Sequence, residues 1–283
     1  MIVVTGATGQ LGRLVITALL KTVPAAQIVA AVRRPEAAAD LAALGVQVRA
    51  ADYNRPETLD AAFQGAQKVL LISSSEVGQR LPQHRQVIEA AQRAGVALLA
   101  YTSLLHADRS PLGLAAEHVA TEALLKASGL PHVLLRNGWY TENYLASVGA
   151  AVQHGALIGS AGAGRIASAA RADLADAAAA VLTLPDQAGR VYELAADQSY
   201  TLAEFAAEIS RLSGKTVPYV DLPQAEYAAA LEGAGLPGPF AALLADSDVG
   251  ASQGALFDDQ GQLSRLIGRA TTPWTVMLKA ALA

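Results

Sequence analysis

Apolar β-branched runs and helix-spaced apolar positions alternate along the first 136 residues. Ile2, Val3 and Val4 open the chain as a buried strand would, and further runs occur at Gln27–Val32, Val46–Ala50, Lys68–Ile72, Ala97–Thr102 and His132–Leu135. Between them lie helical patterns. Leu11, Leu14, Val15, Ala18 and Leu19 follow the first run, then come Pro35–Leu44, Pro56–Phe63, Leu81–Ala94 and Leu114–Ser128. Six strands and five helices in strict order predict an α/β fold, a doubly wound parallel sheet with helices on both faces and right-handed crossovers. In such a sheet a ligand lies beyond the C-terminal strand ends, where strand order reverses.

After Gly138 the rhythm breaks. Gly155, Gly159, Gly162 and Gly164 mark turns, and Asp173 reads as the N-cap of a helix over Leu174–Leu182. A strand over Arg190–Leu194 precedes Thr201, which caps a helix over Leu202–Ser213 that Gly214 ends. Val217–Val220 reads as a strand and Glu226–Glu232 as a helix, after which Gly235, Pro237, Gly238 and Pro239 interrupt. The division expected is a sheet domain over residues 1–138 and a smaller substrate lobe over 139–283, interleaved with the sheet edge. Asn143–Gly164 lacks Asp, Glu, Lys and Arg, but Gln153, His154 and its Ala, Gly and Ser content make it a loop-rich segment rather than a membrane helix.

Composition narrows the function classes. At 283 residues and 52% apolar, the chain can bury a large core. With 21 basic and 25 acidic residues the net charge is −4, and no basic run points to a nucleic-acid partner. Absence of cysteine excludes disulfides, thiol nucleophiles and thiolate metal sites. Met1 runs directly into a strand, so the expectation is a chain without a leader, working in the cytoplasm.

The chemistry gathers at predicted strand ends. Gly6, Gly9 and Gly12 follow the first strand at a spacing of three. Gly6 allows a sharp turn, Gly9 lets a pyrophosphate approach the backbone, and Gly12 lets the helix pack closely, so its free amides face the phosphates. Arg33 and Arg34 follow the second strand, with no acid to accept from ribose hydroxyls; a guanidinium there suits a 2′-phosphate, and hence NADP. Asp52 and Tyr53 are placed to rim an adenine, with Asp52 equally able to cap the next helix. Ser73, Ser74 and Ser75 end the fourth strand, where they would pass the nicotinamide ribose; His84 caps or packs on the next helix.

Thr102 and Ser103 end the fifth strand, where short-chain dehydrogenases place a catalytic serine. Those enzymes also need Tyr-x-x-x-Lys on the next helix, the lysine lowering the tyrosine pKa for proton exchange with a carbonyl. Aligned on Glu122, those positions hold Leu114 and His118. The phenol is gone, leaving His118 to contact the ribose or act weakly as an acid. The sixth strand runs into LLRNGWYTENY. Asn137 and Gly138 would meet the carboxamide side of a nicotinamide; Trp139, Tyr140 and Tyr144 offer aromatic faces, and Asn143 an amide for a carbonyl oxygen. The alternative is that Trp139 and Tyr144 are core packing.

GATGQLG, VRRP, LLISSSEVGQR, YTSLLHAD and LLRNGWYTENYLAS, with DSDVGASQGALFDD and LIGRATT later, together resemble the bacterial NAD(P)H:quinone oxidoreductases of the NmrA-like group, which are atypical short-chain dehydrogenases. The resemblance covers nearly the whole chain. It implies a Rossmann domain with a small C-terminal lobe, NADPH as preferred donor with NADH possible, no flavin, no metal, and a small-molecule quinone as acceptor. It implies cofactor contacts at Gly6, Ala7, Thr8, Gly9, Gln10, Leu11, Arg33, Ser73, Ser74, Ser75, Asn137, Gly138, Trp139, Tyr140, Thr141 and Glu142. Val77, Gly78, Tyr140 and Asn143 would border the quinone, Tyr140 and Asn143 as catalytic residues. The chain would work as a monomer or homodimer without a membrane or nucleic-acid partner. A non-catalytic NmrA-like redox sensor is the competing expectation.

Overall fold

The structure, a computed structural model, describes residues 1–283. The elements follow in order β1 (Ile2–Thr5), α1 (Gln10–Leu19), β2 (Ile28–Val32), α2 (Ala39–Ala43), β3 (Gln47–Ala50), α3 (Pro56–Ala62), β4 (Lys68–Leu71), α4 (Arg80–Arg93), β5 (Leu98–Leu104), α5 (Ala115–Ser128) and β6 (His132–Asn137). Then come α6 (Thr141–Leu145), α7 (Val148–His154), β7 (Leu157–Gly159), α8 (Arg171–Thr183), β8 (Val191–Leu194), α9 (Leu202–Ser213), β9 (Tyr219–Asp221), α10 (Gln224–Gly233), α11 (Gly238–Ser252), α12 (Gln262–Ile267) and α13 (Trp274–Ala281). The large sheet has seven strands in the order β3-β2-β1-β4-β5-β6-β8. The pairs from β3 to β6 are parallel. Strand order therefore reverses between β1 and β4, as the strict alternation predicts.

The chain divides into two compact units. The first comprises Met1–Ala107, Ala116–Asn137 and Arg171–Tyr192; the second comprises Asp108–Ala115, Gly138–Ala170 and Glu193–Ala283. The expectation is one cut at residue 138; the two units interleave instead, with 108–115 in the second and 171–192 returning to the first. The reason is α8, which packs against α1 and is tied there by Lys21 Nζ donating to Asp176 Oδ1 at 3.0 Å. Lys68 Nζ, from β4, also donates to Leu182 O at 2.7 Å. The core of this unit lies under the sheet, where Val3, Val29, Val69, Leu71, Leu99 and Tyr101 meet Leu59, Phe63, Val87 and Ile88.

In the second unit β7 and β9 pair as a parallel two-stranded sheet. Tyr144, Tyr200, Phe205 and Trp274 form an aromatic cluster, with Tyr200 stacked on Phe205 at 5.3 Å and Tyr200–Trp274 at 4.7 Å between ring centroids. Thr201 and Glu204 close a capping box on α9, and Gly214 ends it in the left-handed region, as expected.

Several local expectations need correction. Asp173 is not the N-cap of α8, which starts two residues earlier; it is buried in the first turn, where an acid complements the helix dipole. Gly238 and Pro239 do not interrupt but open α11, because proline suits a first helical turn, whose amides lack partners. The predicted helix over Pro35–Leu44 is a 3₁₀ turn at Pro35–Ala38 followed by the short α2. Asn143–Gly164 holds the end of α6, all of α7 and β7, and no helix of the chain is long and apolar enough to cross a membrane.

Asp248, on α11, carries a pH dependence. It is buried, accepts from Tyr144 Oη at 2.9 Å and from Ser160 N at 3.0 Å, and burial with the nearby Asp221 charge pushes its carboxyl up to about 6. A folded pKa above the unfolded value means stability present at low pH and lost as pH rises through about 6. The expected loss between acid and neutral pH approaches about 3 kcal/mol. Unfolding in urea at pH 3.5 and pH 7, either side of the 3.8 and about 6 limits, checks it: Asp248→Asn should flatten the slope over that window, whatever its absolute stability.

Candidate dinucleotide site

A cavity of about 300 Å³ opens at the C-terminal ends of β1 to β4, at the reversal of strand order. Gly6, Thr8 and Gly9 form one wall, Ile72 to Glu76 another, and Val32, Arg33, Ala51, Asp52, Tyr53 and Gln83 the rest. The glycine turn explains its shape. Gly6 has φ +58, a left-handed value that L side chains rarely adopt. A Cβ on Gly12 would come within 2.5 Å of Gly6 O and 2.7 Å of Ala7 Cα, so only glycine lets α1 start this close to the turn. Gln10 and Leu11 begin α1, whose N-cap Gly9 lines the cavity and whose first amides lack partners within the helix. Ala7 and Leu11 are buried and do not line the cavity, so their side chains serve packing.

The Ser73–Ser75 segment is strapped from beneath. Ser73 N donates to Thr102 Oγ1 at 2.8 Å, Ser74 N to His84 Nε2 at 2.9 Å, and Arg80 Nε to Ser74 O at 2.7 Å. Because His84 Nε2 accepts, the ring proton sits on Nδ1 and is donated to Thr121 Oγ1 at 3.0 Å. Burial, helped by the Arg80 charge, lowers the His84 pKa to about 3, so the strap holds across the neutral range. His84 packs, as one of the two expectations had it. Glu117, from α5, accepts from Gly78 N and Arg80 N at 3.1 Å each, fastening the Val77–Gly78 loop and the start of α4. Val77 itself is exposed.

The position of a catalytic serine is filled otherwise. Ser103 Oγ donates to Glu122 Oε1 at 2.5 Å, and Arg136 holds the same carboxylate with Nε at 3.0 Å and Nη2 at 2.7 Å. His118 is buried, with Nδ1 2.7 Å from Tyr101 Oη, and burial lowers its pKa to about 3. It stays neutral at physiological pH, which removes the weak-acid reading. Asn137 ends β6 buried, and its Oδ1 has no hydrogen-bond donor. An orphaned acceptor of this kind suits an incoming amide N–H.

Asp52 does not cap α3; its Oδ1 accepts from Asn54 N at 2.9 Å and the residue lines the cavity with Tyr53. In the second unit, Tyr144 is core: its hydroxyl is spent on Asp248 and its ring packs edge-on to Tyr200. Thr141 is also internal, its N–H bonded to Ala169 O and its hydroxyl to Ser168 Oγ, which leaves it little to offer a cofactor. Gly138 donates to Leu194 O, and a Cβ there would meet that oxygen at 2.9 Å. Trp139, Tyr140, Glu142 and Asn143 are half-buried, with Asn143 N donating to Tyr140 O at 3.0 Å. From the sequence, Glu76, Gln83 and Glu117 carry no role and Glu122 serves only as an alignment anchor; the one signal is an acid directly after three serines in SSSE.

A family model described as NAD(P)H-binding matches residues 6–185. Quinone oxidoreductase 2 of Escherichia coli is 61% identical over 272 residues, covering 96% of this chain and 95% of that protein. The crystal structure of the NADPH-dependent quinone oxidoreductase from Escherichia coli complexed with NADPH superposes with a TM-score of 0.98 at 59% identity over the whole of both chains. The Citrobacter sp. triphenylmethane reductase complexed with NADP(H) gives 0.96 at 41% identity, again over both full chains. With its glycine turn, its cavity at the β1/β4 reversal and these matches, the chain belongs to the NAD(P)H-binding family, within the quinone oxidoreductase branch that its motifs resemble.

Proposed function

We propose that the chain is an NADPH-dependent oxidoreductase that delivers a hydride to a quinone or a similar planar electrophile. The observation that carries this is 61% identity over 96% of the chain to a quinone oxidoreductase, in a fold whose strand-order reversal opens a cavity beside the glycine turn. When bound, NADPH supplies the hydride. The residues fit it: the Gly6–Gly9 turn and the start of α1 suit a diphosphate, Arg33 a 2′-phosphate, Ser73–Ser75 the ribose side, and the orphaned Asn137 Oδ1 the carboxamide N–H. Tyr140 and Asn143 are assigned to the quinone, with Val77 and Gly78 at its border.

The positions that supply the proton in short-chain dehydrogenases are spent otherwise: Ser103 donates to Glu122, His118 is neutral, and Leu114 stands at the tyrosine position. A quinone accepts a hydride without prior protonation, and its reduced oxygen takes a proton from water, so positioning supplies most of the rate. NADPH consumption with a small benzoquinone tests the reading: turnover is expected, and its absence across several quinones with NADPH bound would favour the sensor instead. Asn143→Ala is expected to lower quinone turnover about tenfold with the NADPH dissociation constant unchanged. Equal loss of both, read by stopped-flow and binding titration, would move Asn143 to the cofactor.

A further inference from the structure

In dinucleotide folds an acid near the end of the second strand accepts from the adenosine ribose hydroxyls, or an arginine there takes a 2′-phosphate. Directly after β2 this chain has Arg33 and Arg34, and the next acid, Glu36, does not line the cavity. The fold brings one from elsewhere. Arg33 Nη1 donates to Glu76 Oε1 at 2.8 Å, across 43 residues of sequence, and both side chains line the cavity. Glu76 is not a loose surface acid. Its Oε2 accepts from Gln83 Nε2 at 2.7 Å, and its own N–H donates to Ser74 Oγ at 3.1 Å. Gln83 is buried, and its Nε2 also reaches Asn54 Oδ1 at 3.3 Å. Two acceptors thus orient the Gln83 amide and hold the carboxylate in place.

We infer that Glu76 is a specificity-determining residue: its carboxylate accepts from the ribose 2′-hydroxyl of NADH and opposes the 2′-phosphate of NADPH at Arg33. The inference rests on the dinucleotide reading above and extends it. The Arg33 and Glu76 side chains are 63% and 40% exposed, so their mutual attraction is weak and a phosphate displaces it at little cost. The Glu76 carboxylate does not leave with it, because Gln83 Nε2 holds its other oxygen while Ser74 Oγ fixes the backbone beneath. Its charge remains beside the incoming dianion. The NADH ribose brings no charge, and its 2′-hydroxyl needs an acceptor that no acid following β2 brings into the cavity. One ion pair therefore serves both dinucleotides, the guanidinium for one and the carboxylate for the other.

The test is the dissociation constants of NADPH and NADH, by fluorescence titration at low and high salt. Glu76→Gln keeps an acceptor for Gln83 and removes the charge. It should tighten NADPH about fivefold, the size of one surface charge contact, with the gain shrinking at high salt. NADH should weaken. Glu76→Ala should move both constants the same way, so the result does not hang on one variant. Arg33→Ala should weaken NADPH about tenfold and leave NADH unchanged. An unchanged NADPH/NADH ratio in both Glu76 variants would overturn the inference and leave the functional reading standing. Wild-type protein that binds neither dinucleotide would overturn the functional reading, and the inference with it.

Discussion

Gly12→Ala is expected to lower stability by about 3 kcal/mol and raise the NADPH dissociation constant about a hundredfold. The new Cβ would sit 2.5 Å from Gly6 O and 2.7 Å from Ala7 Cα, backbone atoms on both counts, so no side chain can rotate away. Relief requires α1 to lift off the turn. That loosens buried Leu11, Val15 and Leu19 and swings the free amides of the helix start away from the cavity. Gly9→Ala is the control. Its Cβ would meet only Gly6 O, at 3.2 Å, so folding should change by less than about 1 kcal/mol while dinucleotide binding still suffers from the methyl beside the cavity. Urea unfolding and NADPH titration on both variants separate packing from binding. Equal stability for the two would show that the helix tolerates the methyl.

The second large effect is expected at Glu122. Its carboxylate and the Arg136 guanidinium are 12% and 10% exposed. Glu122→Ala leaves that guanidinium without its bidentate partner, and the expected cost is about 3–5 kcal/mol. Ser103→Ala removes only one hydrogen bond to the same carboxylate and should cost about 1 kcal/mol, with quinone turnover essentially unchanged. In enzymes that use a serine at this strand end for catalysis, the same substitution would strike turnover first. A fall in kcat beyond about tenfold with stability intact would return Ser103 to the chemistry.

The parallel sheet was legible because buried parallel strands read as β-branched runs between helix-spaced segments. The glycine turn was legible because its spacing has a steric cause, visible in the clash a Cβ on Gly12 would meet. The second half was less so. α8 shows almost no amphipathic pattern, because Leu174, Ala177, Ala178 and Val181 are buried among several alanines, and its start was read from the wrong polar residue. Tyr144 and Trp139 carry the same aromatic signal, and only burial against Tyr200 and a hydroxyl given to Asp248 assign Tyr144 to the core. The pairings of the carboxylates Glu76, Glu117 and Glu122 were illegible for a different reason. Each acts on a partner from another element, and no local spacing announces such a pairing.

The placement of α8 governs where this chain can be divided. Asn137 closes a run of six parallel strands and looks like a natural end, yet α1 takes its cover from residues 171–183. A fragment stopped at Asn137 would bare an apolar helix flank and strand Lys21 and Lys68 without Asp176 and the Leu182 carbonyl. Aggregation is the predictable fate of such a piece. Workers wishing to transplant the nucleotide-binding half onto another scaffold would have to carry α8 along, joined by a linker that replaces residues 138–170.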